Sequence, residues 1–123
     1  YIHSVDSIKL AKKISDEQIK QNKKVKIFIQ VNIGSEEQKS GVNIQEIDEL
    51  LNFCKKLNLN VIGLMCIPPA NKESNKYFEK MKVLNDNLNL QQLSMGMSSD
   101  YLEAVANDAT YLRIGSSIFG KRY

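Results

Sequence analysis

The sequence has one histidine, no tryptophan, two cysteines and two prolines in 123 residues. A single imidazole, His3, cannot build a His-rich metal site, and it leaves a Ser-His-Asp triad without a good base. Cys54 and Cys66 lack the close spacing of a metal or redox pair. They read as small buried hydrophobes in a reducing compartment, which points to the cytoplasm. No apolar run approaches the ~18 residues of a membrane span, and no signal-peptide pattern opens the chain. Neither sign of charge dominates. Seventeen Lys and Arg against fourteen Asp and Glu leave +3, and the lysines are scattered as on solvated helix faces. That is short of a nucleic-acid footprint. An initiating methionine is also lacking: the first residue is Tyr1, and the chain is expected to be a piece of a longer protein.

What is present alternates between helix and strand. In "SVDSIKLAKKISDEQIKQN", Asp6 or Ser7 is expected to cap a helix carrying Ile8, Ala11 and Ile14. "VKIFIQVNI" (25–33) is apolar at period two with Phe28 filling the other face, the pattern of a buried parallel strand. Asn43 with Glu46 three residues on resembles a capping box, ahead of a stripe of Ile47, Leu50, Leu51, Cys54 and Leu57. "VIGLMCI" (61–67) is a second strand stopped by Pro68 and Pro69, and Tyr77, Phe78, Met81 and Leu84 mark a third helix. "LSMGM" is a short strand, followed by a helix capped by Ser99 or Asp100 and carrying Leu102, Val105 and Ala106. "TYLRI" is the last strand. Four strands separated by helices mean an α/β fold, doubly wound or a (β/α) barrel. A complete barrel needs ~250 residues, so this length suits half of one.

In either architecture ligands bind at the carboxyl ends of the strands. There the sequence places "GMSSD" and "GSS", small residues that each open a helix. Helix N-termini hold phosphate through unpaired N–H groups, and Gly and Ser allow close approach and add a donor. Plain helix capping by Ser98, Ser99 and Ser116 is the competing use of the same residues. The end of the chain, "RIGSSIFGKRY", nearly spells a Walker P-loop. Arg122 stands where the Mg²⁺-binding hydroxyl is needed and the bulky Ile118 and Phe119 occupy the loop, so that reading is rejected.

Three segments together, "QVNIGSEEQKSGV", "LSMGMSSDYLEAV" and "RIGSSIFGKR", resemble the pyridoxal 5′-phosphate (PLP) homeostasis proteins, the YggS/PROSC family related to the alanine racemase barrel. "HSVD" at 3–6 and "GLMCIPP" at 63–69 fit the same family in the same order, so the resemblance covers nearly the whole chain. It implies the C-terminal half of a (β/α)8 TIM barrel, like the alanine racemase N-terminal domain (PLP fold type III). Residues 1–123 would be the second half of one PLP-binding domain, with the N-terminal half and its Schiff-base lysine absent. The resemblance further implies that Ser98, Gly115 and Ser116 hold the PLP phosphate with Met97 beside them, and that Arg113 faces the pyridine nitrogen. Lys39, in the loop after the 25–33 strand, could approach the cofactor, although loop lysines are normally solvated.

The implied function is PLP storage and delivery, with PLP-dependent apo-enzymes as recipients and no substrate turnover. The alternative is a racemase-type PLP enzyme acting on amino acids. That would need a second acid/base group, for which Tyr101 or Tyr111 are the available residues and His3 a poor one. A third reading is a half-barrel inactive by itself. Its strands, apolar on both faces, are expected to leave Ile29, Val31, Leu64 and Met65 exposed, giving a partly molten or self-associating chain.

Overall fold

Apolar residues at period two and at helical spacing sort onto a parallel sheet and the helices that cover one side of it. The computed structural model describes residues 1–37, 40–69 and 74–114. The order is β1 (Ile2–Val5), α1 (Ile8–Gln21), β2 (Lys26–Gln30), a 3-10 turn (Ile44–Glu46), α2 (Ile47–Lys56), β3 (Asn60–Met65), α3 (Ser74–Asn87), β4 (Gln92–Met97), α4 (Tyr101–Ala106) and β5 (Tyr111–Arg113). Every neighbouring pair of strands is parallel, and their order in the sheet is their order in the chain.

β1 corrects the sequence reading, which opened on a helix and counted four strands. It has four residues, two of them His3 and Ser4, and is held by pairing with β2 (Ile2 with Ile27, Val5 with Ile29). So short a polar strand leaves no periodic signal.

Local signals explain most helix ends. Ser7, rather than Asp6, caps α1, its hydroxyl accepting from Leu10 N at 3.1 Å. Asp6 instead accepts from Gly41 N at 2.9 Å, tying the β1–α1 turn to the loop after β2. The expected capping box at Asn43 does not form: its side chain makes no cap bond, and a 3-10 turn comes first. Asp100 begins α4 without a side-chain cap bond to the helix. At or just after their ends the four α-helices place Asn22, Asn58, Asn89 and Asp108 in left-handed conformation. Asn and Asp tolerate that conformation better than other non-glycine residues.

The core lies between helices and sheet. Ile27, Ile29 and Val31, then Leu64 and Cys66, then Leu93 and Met95 meet Ala11, Leu50, Leu51, Cys54, Phe78 and Met81. Each large side chain buried there contributes roughly 1.5–3 kcal/mol. The expectation that Ile29, Val31, Leu64 and Met65 would be exposed is therefore wrong: all four are buried, at 0, 2, 0 and 5 % exposure. The first three need only the helices of this chain. The apolar face expected for α4 is also wrong. Leu102 and Val105 are 71 and 51 % exposed, and Ala104 turns inward instead. A Cβ on Gly96 would stand only 2.7 Å from the Ala104 Cβ, and Gly96 has φ +104, so the helix packs on a bare left-handed glycine.

The other side of the sheet is concave. Neighbouring strands lie ~4.8 Å apart, so a flat sheet would hold β1 and β5 about 19 Å apart. Instead the Tyr111 ring centroid is 5.5 Å from His3 and 5.0 Å from Phe28. The strands curl into the arc of a barrel, and side chains from both ends of the arc meet inside it.

Candidate functional site

Period two sends Ser94 of β4 to the concave side while Leu93 and Met95 enter the helical core. Ser94 is fully buried, and two groups converge on its hydroxyl. His3 Nδ1 lies 2.7 Å from Ser94 Oγ, and Arg113 Nη1 donates to the same oxygen at 2.8 Å. Arg113 Nη2 donates to the carbonyl of Cys66, just beyond β3, at 2.9 Å. The guanidinium at the end of β5 is thus pinned to two other strands. Its Nε is buried and finds no hydrogen-bond partner among the described residues. Burial lowers the Arg113 pKa from its usual value, an effect opposed by Cys66 and Asp100. An arginine remains charged regardless.

Below the guanidinium, the His3 ring stacks on Phe28 with centroids 4.3 Å apart and planes at 26°. Tyr111 meets both rings edge-on. Burial first, and the Arg113 charge second, lower the His3 pKa, so the imidazole is neutral at physiological pH. Tyr111 is the first residue of β5, and its ring lies 5.5 Å from that of Tyr1, whose hydroxyl is 3.4 Å from Nζ of Lys26 at the start of β2. Tyr111 therefore points toward the amino ends of the strands, away from Arg113.

At the carboxyl end of β4 the turn is built by Asp100. Its carboxylate accepts from Met97 N at 2.7 Å and from the Ser74 hydroxyl at 3.0 Å, fastening the turn to the start of α3. The Met97 N–H is committed to this bond, so Met97 offers an incoming ligand its side chain, which is 43 % exposed. Ser98 sits half-buried in the same turn. Ser98, Met97 and Arg113 thus share one end of the sheet, since Met97 and Arg113 are register partners. Gly115, Ser116 and Lys39 lie outside the described residues. The loop that carries Lys39 is closed at its base by the Val31–Val42 bridge and by Asn32, whose side chain bonds Glu36 N and O.

Sequence reasoning missed Ser94 and dismissed His3. The alternation in "LSMGM" was a usable signal for Ser94. The role of His3 depends on a contact 91 residues away in sequence. Among the described residues no cluster of His, Cys, Asp and Glu could hold a metal, and no helix is long and apolar enough to cross a membrane.

The two thiols behave as buried apolar groups. Desolvation pushes Cys54 up to about 11 and Cys66 up to about 12. Both stay protonated in the folded chain well above pH 9, whereas in the unfolded chain they ionise near 8.5. The folded state then holds more protons, so this contribution is complete below about pH 8.5 and is lost as pH rises toward 11–12. We expect stability to fall between pH 9 and 11 by up to about 1.4 kcal/mol per pH unit per thiol. Urea titrations should show a shallower fall in Cys66→Ala; equal slopes would refute the assignment.

A curled, parallel, sequentially ordered sheet covered by helices on its outer side is the arc of an α/β barrel, with Met97 and Arg113 at the carboxyl ends of its strands. The chain belongs to the alanine racemase N-terminal domain family, whose model matches residues 1–123. It is 41% identical over 131 residues to the pyridoxal phosphate homeostasis protein of Aquifex aeolicus, covering 98% of this chain and 58% of that protein. The Escherichia coli K12 protein of the same name is 34% identical, with 99% and 56% covered. Among solved structures, PipY of Synechococcus elongatus with PLP bound superposes with a TM-score of 0.88 at 31% identity, over 97% of this chain and 60% of that one. The chain spans somewhat more than half the length of the curated relatives it matches.

Proposed function

We propose that this chain forms the phosphate- and ring-binding side of a protein that holds pyridoxal 5′-phosphate in the cytoplasm and hands it to PLP-dependent apo-enzymes without turning over a substrate. The observation that carries the reading is Arg113, a cation fixed at the carboxyl end of the barrel arc with a buried Nε that lacks an acceptor among the described residues. A bound ring nitrogen is such an acceptor. The names of the relatives, and PLP in the PipY structure, support the same ligand.

Bound there, PLP supplies an aldehyde that condenses with amines and a pyridine ring that withdraws electrons. Arg113 can only donate hydrogen bonds and keeps its charge, so it holds the facing ring nitrogen unprotonated and weakens that withdrawal. Storage loses nothing by this. Ser98, with Gly115 and Ser116, takes the phosphate, Met97 flanks it, and Lys39 is a candidate for a secondary contact. The lysine that anchors the cofactor would lie on a strand ahead of β1, in the other half of the barrel. An apolar recess of about 310 Å³ beside β1, lined by Ile2, Leu10, Ile14 and Val25, suits a further helix of that half. Among the described residues β1 and β5 are the edge strands, and their edges suit its strands, or a second copy when this stretch is isolated.

Of the two tyrosines open to the racemase alternative, Tyr111 begins β5 at the opposite end of the sheet from Arg113, and Tyr101 begins α4 beyond the carboxyl end of β4. The intact protein is expected to bind PLP stoichiometrically and to racemise alanine and serine orders of magnitude below ordinary enzyme rates of ~10 s⁻¹. Turnover near that rate would establish an enzyme, and failure to retain PLP on gel filtration would remove the cofactor reading.

A further inference from the structure

We propose that His3 is a positioning residue for Arg113, acting through Ser94 to fix the guanidinium edge that faces the ligand. The proposal rests on the PLP reading for the identity of that ligand, but the relay itself follows from hydrogen-bond counting.

Arginine has no acceptor, so Ser94 Oγ must accept from Nη1. The serine hydroxyl has one proton of its own, and Ser94 is fully buried, so that proton needs an acceptor inside the protein. His3 Nδ1, at 2.7 Å, is the acceptor in reach. The bonds therefore run in one direction, from Arg113 Nη1–H to Ser94 Oγ and from Ser94 Oγ–H to His3 Nδ1. This requires a neutral imidazole with its proton on Nε2. A proton on Nδ1 would aim two donors at one oxygen and leave the hydroxyl proton orphaned in a dry site. The lowered His3 pKa agrees with this arrangement. Aromatic packing sets the ring: Phe28 lies against its face and Tyr111 against its edge, so Nδ1 is held toward Ser94.

Each link removes one freedom. His3 fixes the Ser94 rotor, Ser94 fixes Nη1, and the Cys66 carbonyl fixes Nη2, which leaves the plane of the guanidinium set by three strands. Without His3 the hydroxyl is free to rotate and donate elsewhere, and Nη1 loses a directed acceptor.

The test uses the intact protein and two variants of His3. His3→Phe keeps the stacked ring and removes the acceptor. His3→Asn restores an acceptor near the Nδ1 position. Nitrogen-15 NMR should show His3 as the Nε2–H tautomer, with slow rotation about the Arg113 Cζ–Nη bonds in wild type and fast rotation in His3→Phe. Titration with PLP should show about tenfold weaker binding for His3→Phe, the scale of one lost bond at a charged group, with most of it recovered in His3→Asn. If His3→Phe fails to fold, Ser94→Ala breaks the same relay and should give the same fast rotation and weaker binding. Unchanged guanidinium rotation and PLP affinity in the folded variants would overturn the proposal, as would an Nδ1–H tautomer. Loss of slow rotation in a protein whose wild type never binds PLP would instead uphold the relay and overturn the ligand.

Discussion

Replacing Gly63 with alanine should cost at least about 3 kcal/mol, among the larger effects of a single methyl group. Gly63 pairs with Gln92 across β3 and β4. A Cβ built there would overlap the Gln92 carbonyl oxygen and reach within 2.6 Å of its carbon, with the Phe28 ring 3.1 Å away on the other side. Backbone cannot yield as the tip of a flexible side chain can, so the two strands must separate. Typical domains are stable by only ~5–15 kcal/mol, so the loss should show as a large drop in urea midpoint. It should also reach the site. Phe28 supports His3, His3 meets Ser94, and Ser94 holds Arg113, so displacing Phe28 should weaken PLP binding in any Gly63→Ala protein that still folds. A midpoint close to that of wild type would mean that the strands are not packed this tightly.

Gly63 also marks the limit of what could be read beforehand. "VIGLMCI" was legible as a buried strand from its composition, but the need for glycine within it comes from Phe28 and Gln92, which lie on other strands. The alternation of helix and strand was legible for a related reason: local periodicity separates the period-two run through Ile27 in β2 from the helical stripe of Leu50, Leu51 and Cys54 in α2. β1 was not, because four residues including His3 and Ser4 carry no period. The exposure expected of Val31 and Leu64 failed because the covering helices were left out of the account, although the sequence had already placed them. Ends of elements were decided by close competition. Ser7 and Asp6 were equal candidates to cap α1, and Asp6 was drawn off by Gly41, 35 residues away.

The site divides in the same way. Ser98 was named from a small-residue turn and Arg113 from the family resemblance, and both lie at the carboxyl end of the sheet, where α/β proteins bind ligands. The groups that orient Arg113 were invisible, since His3, Cys66 and Ser94 belong to three other parts of the chain and meet only when the sheet curls. Spacing cannot reveal a contact made by curvature.

Arg113→Leu should then separate binding from stability. The guanidinium is half-buried, and burial is the main cause of its lowered pKa, so its presence carries a folding cost. Its two hydrogen bonds offset part of that cost, and the leucine variant should unfold within about 1 kcal/mol of wild type. Its PLP affinity should fall much further. Loss of one charged hydrogen bond is worth about 1.5–3 kcal/mol, which is roughly 10- to 150-fold in Kd. Arg113→Lys should not restore it. An ammonium group is a single point and cannot reach the Ser94 hydroxyl and the Cys66 carbonyl together while keeping a third N–H for the ring nitrogen. Equilibrium dialysis with PLP, alongside urea unfolding, measures the two quantities separately. A leucine variant that keeps wild-type affinity would remove Arg113 from the binding site. One whose affinity and stability fall together would reduce it to a structural residue, and full rescue by lysine would show that charge alone is needed at the end of β5.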